Sequence, residues 1–324
     1  MFFYIVVGFV VYLVIDWLIR LPKVGGITKK YVLITGCDTG FGNLLAKKLD
    51  KMGCNVFAAC LTEKGQKDLD DETSTRVDVF HMNVADHQSV VDGANYVKGK
   101  LPQGVGLWGL VNNAGLTGAL GPSEWLTLED YNKVFSVNLL GLIDVTTEFQ
   151  SLIKKAQGRI VNTASIVGRV TIAATVPYCI SKYGVESFSD ALRFNLWAFK
   201  CSVHIIEPGF HKTSITNVDL NVASFRRSYN QAPQEVKDEY GDEFIDAACG
   251  MMKEKTEQFL SPKLMDVVNA YSHALFSVYP RNRYQVGSDS KLFFIPLSFM
   301  HSAFQDFFFR LLANRDVKPK GALR

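Results

Sequence analysis

Short apolar runs alternate along the chain with amphipathic stretches of helical length. The runs hold five or six residues each and are rich in β-branched side chains, which is typical of strands buried on both faces of a sheet. The predicted strands are 31–35, 55–60, 77–82, 107–111, 159–163 and 202–206, with helices such as 43–51 and 88–98 between them. This alternation predicts βαβ units, and hence an α/β fold with a doubly wound parallel sheet in one domain over residues 28–290.

The longest apolar run of the chain lies at the N-terminus, over residues 2–19. It is close to the ~20 residues that span a bilayer, and a buried helix at the domain edge is the alternative. It lacks the basic start and the small-residue cleavage site of a secretory signal. Asp16 is its one ionised residue, and the flank that follows is basic, with Arg20, Lys23, Lys29 and Lys30. We therefore predict a membrane anchor over residues 1–20 and a catalytic part that faces the cytosol.

Two later segments depart from the alternating pattern. Residues 214–260 are polar and charged, which predicts an inserted lid of helices within the domain. Residues 291–324 are rich in Phe but interrupted by proline and charged side chains. This pattern predicts an amphipathic segment that lies on a membrane or covers the mouth of a site, with plain packing as the alternative.

Composition and charge exclude several classes of protein. A chain of 324 residues with 48% hydrophobic and 21% charged residues can bury a large core and is not a disordered tail. A net charge of +3 without a dense Lys/Arg stripe excludes a nucleic-acid partner. The six cysteines are scattered, without a C-x-x-C motif or paired histidines. They indicate small buried thiols and neither a metal site nor a disulfide scaffold.

A glycine-rich turn follows the first predicted strand and precedes a helical pattern. It reads Thr35-Gly36-Cys37-Asp38-Thr39-Gly40-Phe41-Gly42, with the spacing G-x-x-x-G-x-G. Glycine at three points permits a tight turn and a close approach of the backbone to a pyrophosphate, to which the next helix presents free N–H groups. Because such turns often have no ligand, the motif alone leaves nucleotide binding and a plain turn open.

Tyr178 and Lys182 lie four residues apart at the start of a long helical pattern. This spacing places the phenol and the ammonium on one helix face. A tyrosine has an ordinary pKa near 10, and a neighbouring Lys⁺ favours the phenolate and lowers that pKa. The pair would then act as a general acid/base on an alcohol oxygen. Alone, such a pair is usually surface decoration, so its meaning depends on the glycine turn.

These motifs, with others in the same order, resemble the short-chain dehydrogenase/reductase family. The other motifs are Asn112-Asn113-Ala114-Gly115, Asn138, Ser165, and Pro208-Gly209 with Thr213. The resemblance covers residues 30–213 in motif order. It implies a Rossmann fold, hydride transfer between an alcohol and a nicotinamide cofactor, and a homodimer formed through the helices around Asn138 and Tyr178.

The resemblance implies a role for each matching residue. Tyr178 would be the catalytic acid/base, and Lys182 would lower its pKa and hold the nicotinamide ribose. Ser165 would hydrogen-bond the substrate oxygen, and Asn138 would anchor a water that relays protons to Lys182. Capping of a helix or turn is the alternative for Asn138 and Ser165. The implied cofactor-binding residues are Gly36, Asp38, Thr39, Gly40, Phe41, Gly42, Asn83, Val84, Asn112, Ala114, Gly115, Tyr178, Lys182, Pro208, Gly209 and Thr213.

Longer stretches are similar to the membrane-associated retinol and hydroxysteroid dehydrogenase branch of this family. They are 35–65, 106–115, 124–131 and 178–193. The branch implies an NAD(H)-dependent oxidoreductase for a lipophilic alcohol at the endoplasmic reticulum membrane. The candidate lining of an apolar pocket is Leu116, Leu120, Trp125 and Val176. A relative of D-3-hydroxybutyrate dehydrogenase is the alternative, favoured by the GCDxGFG loop, by Asn83-Val84 and by Pro177-Tyr178. Its substrate carboxylate would need a cationic partner, for which His211 and Lys212 are candidates. A non-catalytic nucleotide-binding scaffold is the alternative from another class.

Two departures from the family pattern bear on the choice of cofactor. Cys60 stands where NAD-using members often carry Asp, so the ribose 2′-hydroxyl has no carboxylate there. Asp38 stands in the glycine turn, where NADP-using members often carry Arg or Lys, and would repel a 2′-phosphate. We expect NAD, and these residues leave NADP open.

Overall fold

The computed structural model describes residues 2–312 and 318–323 of the chain. Over these residues, seven strands form one parallel sheet in the order β3-β2-β1-β4-β5-β6-β7. The strands are β1 (Tyr31–Thr35), β2 (Asn55–Cys60), β3 (Val77–His81), β4 (Gly109–Asn112), β5 (Arg159–Thr163), β6 (Ser202–Pro208) and β7 (Arg283–Val286). The predicted α/β fold with a doubly wound parallel sheet is confirmed.

Helices cover both faces of the sheet and extend beyond it. In chain order, the α-helices of the described residues are α1 (Phe2–Arg20), α2 (Gly40–Lys51), α3 (Glu63–Asp71), α4 (His87–Lys100), α5 (Leu128–Phe135), α6 (Leu142–Ala156), α7 (Val176–Trp197), α8 (Val218–Gln231), α9 (Gln234–Tyr240), α10 (Asp242–Phe259), α11 (Leu264–Phe276), α12 (Ile295–Ser298) and α13 (Ser302–Leu312). A π-helical turn, Ser136–Gly141, joins α5 to α6, and another, Ser290–Phe294, leads into α12.

The core consists of two layers, one on each face of the sheet. Alternate residues of β1 point to opposite layers: Ile34 packs in the layer that contains Leu45 of α2, and Leu33 in the layer that contains Phe149 of α6. All four side chains are fully buried, and each such burial contributes about 1.5–3 kcal/mol of hydrophobic free energy. The six cysteines are also buried and unpaired, as predicted.

The prediction misses β7 and starts β4 two residues early, at 107 instead of Gly109. β7 has four residues and pairs in parallel with β6 at the edge of the sheet. Arg283 in β7 donates to Glu186 (2.9 Å) and to Asp190 (2.8 Å), both in α7. These ion pairs stabilise the strand from outside its own sequence, so no local pattern indicates it.

The first helix exposes most of its large apolar side chains, and Phe3, Tyr4 and Tyr12 are more than 60% exposed. None of the helices in the described part of the chain combines the length and the apolar composition that crossing a membrane requires. Residue 1 of the predicted anchor lies outside the described residues.

The base of α1 is fixed to the domain by a set of contacts that we call the Asp16 clamp. Asp16 is 8% exposed and forms ion pairs with Arg20 (2.8 Å) and Arg281. Arg20 donates to the Tyr279 carbonyl (2.8 Å), and the Ser277 hydroxyl donates to the Arg20 carbonyl (2.9 Å). The charged residue inside the apolar run therefore joins α1 to the segment that precedes β7.

The segment predicted as a lid, 214–260, contains α8, α9 and α10. These helices pack around Trp125, whose ring centroid lies 5.0 Å from that of Phe225 and 4.9 Å from that of Tyr240. In the C-terminal segment, Phe308 of α13 packs near Phe293 (5.2 Å between ring centroids). Residues 313–317 and 324 of that predicted segment lie outside the described residues.

A neutral histidine is buried at the end of the sheet where the strands begin. In His204 of β6, Nδ1 lies 2.7 Å from the Arg281 carbonyl oxygen and Nε2 lies 2.8 Å from the Ser202 hydroxyl. Burial lowers the pKa of His204 to about 3, and the positive charges of Arg159 and Arg193 act in the same direction. The folded protein therefore keeps this imidazole neutral at a pH where the unfolded chain protonates it.

His204 is expected to make the fold sensitive to acid. Its folded pKa lies below the unfolded value of 6.5, so the stability that it contributes is present above pH 6.5 and is lost as the pH falls toward 3. Between about pH 7.5 and 5.5 the expected loss in the free energy of unfolding is about 1.4 kcal/mol. Urea unfolding at both pH values should show that H204Q reduces this loss. H301Q, the same change at the exposed His301, is the control and should leave the loss unchanged. An equal loss in wild type and H204Q would contradict the expectation.

Candidate active site

A cleft of about 400 Å³ opens at the carboxyl ends of the strands. It lies where the strand order reverses between β1 and β4, which is where open α/β sheets bind ligands. The cleft residues come from the turn after β1, the ends of β2 and β3, the segments after β4, β5 and β6, and the start of α7. The chain therefore brings one segment after another to a single edge of the sheet.

The glycine turn lies against the segment after β4, with little room between the two. At Gly36 the backbone has φ +68, and an added Cβ would lie 2.8 Å from Ala114 Cα. At Gly42 an added Cβ would lie 2.5 Å from Asn113 Nδ2. Thr39 precedes α2 without a side-chain capping bond, so the first N–H groups of that helix remain available to an anion.

Asp38 links the glycine turn to the end of β2. One carboxylate oxygen accepts from the Leu61 N–H (2.9 Å), and the other accepts from the N–H (2.8 Å) and the hydroxyl (2.7 Å) of Thr62. The carboxylate therefore lies beside the end of the strand that Cys60 completes, where the family pattern often has Asp. The sequence places Asp38 in the turn, and only the fold shows that it reaches β2.

Only some of the residues predicted to bind the adenosine end of the cofactor line the cleft. Asn83, Val84, Ala114 and Gly115 line it. Asn112 does not line it, because its side-chain amide is buried and donates to the Thr146 hydroxyl and the Asn162 side-chain oxygen Oδ1 (both 2.9 Å). The predicted cofactor role of Asn112 is therefore corrected to a packing role between β4 and β5.

Two other predicted residues support the cleft from behind. Gly42 is not among the lining residues and allows the glycine turn to approach Asn113. Asn138 lies in the π-helical turn, where its amide accepts from the Leu116 N–H and donates to the Leu116 carbonyl (both 2.9 Å) and to Ser181 (3.1 Å). Its side chain fixes the segment after β4 and does not face the cleft.

Asn113, which the prediction does not assign to the cofactor, lines the cleft and holds the two sides of the glycine turn together. Its side-chain nitrogen donates to the Thr35 and Gly36 carbonyls, both at 3.0 Å. Tyr271 of α11 donates to the Asn113 side-chain oxygen (3.4 Å) and shares a hydrogen bond with Thr163 (2.7 Å). Asn113 lies in the predicted motif, but only strand geometry decides which of the two asparagines faces the cleft.

The structure brings Tyr178, Ser165 and Lys182 together, all lining the cleft. Ser165 follows β5, its hydroxyl accepts from the Val167 N–H (3.3 Å), and its side chain lies beside the Tyr178 phenol. Lys182, one helical turn beyond Tyr178, donates to the Thr163 carbonyl (2.8 Å), and its Nζ lies 5.6 Å from the centre of the Tyr178 ring. A hydroxyl group that enters the cleft can therefore meet both a serine and a tyrosine.

The charges at these residues differ from the expectation. Burial raises the pKa of Tyr178 to about 12, although the hydrogen bond from Ser165 opposes this shift. Burial lowers the pKa of Lys182 to about 8, opposed by the negative charge of Glu186. Burial thus acts on the phenol in the direction opposite to the one expected from Lys182, whose Nζ donates to the Thr163 carbonyl. The role of Lys182 in lowering the pKa of Tyr178 stays a prediction.

The loop after β6 closes the cleft. Pro208, Gly209 and Thr213 line it as predicted. An added Cβ at Gly209 would lie 2.2 Å from the Asp289 carboxylate, which accepts from the Phe210 N–H (2.7 Å). The loop is thus held against the segment that follows β7.

His211 also lines the cleft, and the sequence analysis does not assign it to the cofactor. It is 2% exposed, and its Nδ1 lies 3.0 Å from the Gly209 carbonyl oxygen. Its Nε2 is buried without a hydrogen-bond partner among the described residues. The sequence offers this histidine only as a candidate partner for a substrate carboxylate, and its burial and contacts appear only in the fold.

An apolar wall adjoins Tyr178. Tyr178 packs in a cluster with Ile172 and Phe210, together with Phe293 and Phe308 from the C-terminal segment. Among the predicted pocket residues, Leu116 lines the cleft, but Leu120 and Trp125 are buried in the cluster of α8 and α10. The wall therefore combines the segments after β5 and β6 with the C-terminal segment.

These features fit a dinucleotide. The turn approaches its neighbours so closely that side chains at Gly36 and Gly42 would collide, which leaves the backbone exposed to a ligand. The free N–H groups at the start of α2 suit a pyrophosphate.

Comparisons with known proteins agree with this geometry. A family model described as short chain dehydrogenase matches residues 30–221. The chain is 43% identical over 322 residues to 17-beta-hydroxysteroid dehydrogenase type 6 of Mus musculus, covering 99% of this chain and 100% of that protein. It is 45% identical over 294 residues to retinol dehydrogenase 7 of Rattus norvegicus, covering 91% of each.

A solved structure shares the fold. It is a short chain dehydrogenase/reductase of Burkholderia phymatum in complex with NAD, with a TM-score of 0.67 and 22% sequence identity. The match covers 88% of this chain and 95% of that one.

Proposed function

The chain belongs to the short-chain dehydrogenase family, and from that membership we propose that it is an NAD-dependent dehydrogenase of lipophilic alcohols, of the retinol or hydroxysteroid class. It is an oxidoreductase that acts on alcohols with a nicotinamide cofactor. The observation that carries the proposed substrate class is the position of Tyr178, which faces the dinucleotide cleft and packs in an aromatic cluster.

When bound, the cofactor supplies the acceptor or donor of the hydride. The glycine turn and the start of α2 would hold its pyrophosphate, and Asn83 and Val84 its adenine. Lys182 would hold the nicotinamide ribose. The segment with Pro208, Gly209 and Thr213 would hold the carboxamide.

The chain itself binds the alcohol and moves its proton. Ser165 orients the substrate oxygen. The Tyr178 phenol donates its proton to a carbonyl oxygen during reduction, and the phenolate takes the hydroxyl proton during oxidation. Because burial raises the pKa of Tyr178, the phenol is protonated near neutral pH, which is the form that reduction requires. Lys182 holds a proton at the Thr163 carbonyl, one helical turn from the phenol.

The apolar cluster beside Tyr178 favours a lipophilic substrate, because its residues are mainly aromatic and aliphatic. Lys182 is the one Lys or Arg side chain among the lining residues that the structure describes, and Lys212, a candidate partner for a carboxylate, is exposed outside the cleft. A hydroxybutyrate-type acid would need a free cation beside the substrate, so the alternative substrate is less well supported.

We propose NAD and not NADP, because Asp38 sets a negative charge beside the end of β2. Its carboxylate is held by the backbone of Leu61 and Thr62, where the 2′-position of the adenine ribose is expected. A 2′-phosphate would meet this charge at short range.

We further propose that α1 attaches the enzyme to a membrane, at the endoplasmic reticulum as the branch implies. The exposed Phe3, Tyr12 and Trp17 offer apolar and aromatic surface of the kind that lies in a bilayer interface. The homodimer implied by the resemblance stays a prediction.

Activity assays test the proposed function. The rate of NADH formation from NAD is to be measured by absorbance with each of three substrates: all-trans-retinol, a 17β-hydroxysteroid and D-3-hydroxybutyrate. We expect kcat/KM to be highest for one of the two lipophilic alcohols, since the wall is apolar. A higher value for D-3-hydroxybutyrate would contradict the proposal.

The same assay tests the role of Tyr178. Y178F should lower oxidation of the preferred alcohol at least about 10³-fold, because it removes the group placed to take the hydroxyl proton. NADH binding, followed by fluorescence, should change little. Y183F, a matched change at an exposed tyrosine of α7, should keep full activity. Retained turnover in Y178F would remove Tyr178 from the mechanism.

Asp38 provides the test of cofactor choice. D38N removes the charge with little change of shape, and we expect the ratio of kcat/KM with NAD to that with NADP to fall about tenfold or more. The measurement is initial rates with both cofactors. D71N, which removes an exposed charge at the end of α3, should leave the ratio unchanged. An unchanged ratio in D38N would refute the proposed discrimination.

Flotation with phosphatidylcholine vesicles tests the attachment. The full chain should rise with the vesicles, and a chain that lacks residues 2–20 should rise less, because the exposed apolar surface is removed. Equal flotation of the two chains would show that α1 is not the attachment.

A further inference from the structure

We propose that Glu186 is a positioning residue for the reaction, and that its carboxylate acts through Lys182 by keeping that side chain in its ammonium form. The inference rests on the proposed function, because Lys182 serves the reaction only if the cleft holds a nicotinamide cofactor. It adds a carboxylate that is not among the site residues predicted from the sequence.

Glu186 lies on the same side of α7 as the two residues of that helix that line the cleft. Tyr178, Lys182 and Glu186 follow one another at intervals of four residues, which places them in a row along one helix face. Lys182 is 3% exposed and Glu186 is 6% exposed, so water screens their charges only weakly. A negative charge on Glu186 therefore acts on the ammonium one helical turn away.

The turn that carries Ser165 packs against this part of α7. An added Cβ at Gly168, the last residue of the turn, would lie 2.9 Å from the Lys182 carbonyl oxygen and 3.2 Å from Cγ of Glu186. A side chain at 168 would therefore push the turn away from the helix. Glycine permits the close approach, and the turn covers α7 at the step from Lys182 to Glu186.

The charged groups that face Glu186 come from β6, β7 and the segment after β5. Oε2 of Glu186 accepts from Arg283 of β7 (2.9 Å), and Oε1 is buried without a hydrogen-bond partner among the described residues. The same guanidinium pairs with Asp190 of α7 (2.8 Å) and lies 3.5 Å from Glu207 of β6. Arg169, from the segment after β5, pairs with Glu207 (2.9 Å).

Arg283 cannot fully neutralise Glu186, because its one positive charge is shared among three carboxylates. Nζ of Lys182 donates to a neutral acceptor, the Thr163 carbonyl (2.8 Å), which brings the ammonium no opposite charge. Burial lowers the pKa of Lys182 to about 8, and the negative charge of Glu186 opposes this shift. The opposite charge that a buried ammonium requires therefore comes from Glu186.

Glu186 is charged in the pH range in which Lys182 needs support. Burial and the negative charge of Glu207 raise the pKa of Glu186. The positive charges of Arg283 and Arg169 oppose this shift. A raised pKa moves the ionised form of Glu186 to higher pH, which is where Lys182 would otherwise lose its proton. The carboxylate thus extends the ammonium form of Lys182 toward alkaline pH.

The pH dependence of carbonyl reduction tests the inference. The carbonyl form of the preferred alcohol is to be reduced with NADH by the full chain between about pH 6 and 10. For wild type, kcat/KM should fall as the pH rises through the pKa of Lys182, because the pKa of Tyr178 is higher, at about 12. In E186Q the midpoint of this fall should lie at least about half a pH unit lower, since the opposing charge is removed.

Two further variants separate the charge of Glu186 from its packing. E186D keeps a carboxylate and should recover at least about half of the shift. D190N removes the other α7 carboxylate that pairs with Arg283, one helical turn further from Lys182, and should leave the midpoint unchanged. Equal midpoints in wild type and E186Q would overturn the inference. So would an equal shift in D190N, or a loss in E186Q by the same factor at every pH, since either marks a purely structural role.

A fourth variant and a binding measurement complete the test. If E186Q does not fold, E186M takes its place, because an apolar side chain of similar length can replace a buried ion-pair partner and Arg283 keeps Asp190. NADH binding to wild type, followed by fluorescence, separates the inference from the proposed function. A wild type that binds no NADH contradicts the proposed function and the inference with it. A wild type that binds NADH but shares its midpoint with the uncharged variant contradicts the inference alone.

Discussion

The cleft depends on the close contact between the turn at Gly36 and the segment at Ala114. Asn113 donates to two carbonyls of the turn, and the Thr35 hydroxyl accepts from the N–H groups of Asn113 (3.0 Å) and Ala114 (3.1 Å). These bonds draw the ends of β1 and β4 together at the point where the strand order reverses. Only glycine fits at position 36 of the turn. Because no side chain stands there, the backbone of the cleft is exposed to a ligand.

Burial at the reacting end follows from the same compactness. The aromatic cluster packs beside Tyr178, and burial shifts both Tyr178 and Lys182 toward their neutral forms. A dry site strengthens each hydrogen bond that forms in it, so the fixed geometry of Ser165, Tyr178 and the Thr163 carbonyl matters more than the distance between phenol and ammonium.

Local sequence patterns predicted much of the fold. They did not predict features that depend on contacts between residues distant in the chain. The apolar runs predicted six strands and the parallel sheet, because buried strands carry their signal in their own residues. β7 carried no such signal in its own residues, since the ion pairs of Arg283 with α7 help to hold it in the sheet. At Asn112 and Asn113 the motif was right in kind, but one residue faces the core and the next the cleft. Trp125 was read as pocket lining because its apolar character does not tell which helices will cover it. His211 lay within a recognised loop, and its orphaned nitrogen appeared only in three dimensions.

The Asp16 clamp connects β7 to the first helix as well as to the sheet. One end of this strand follows Arg281, which grips α1, and beyond its other end the Asp289 carboxylate holds the Phe210 N–H in the loop that closes the cleft. The strand is therefore a short strut between the first helix and the reaction centre. The first helix and the loop that closes the cleft are therefore both fastened to the chain on either side of one edge strand, which pairs with β6.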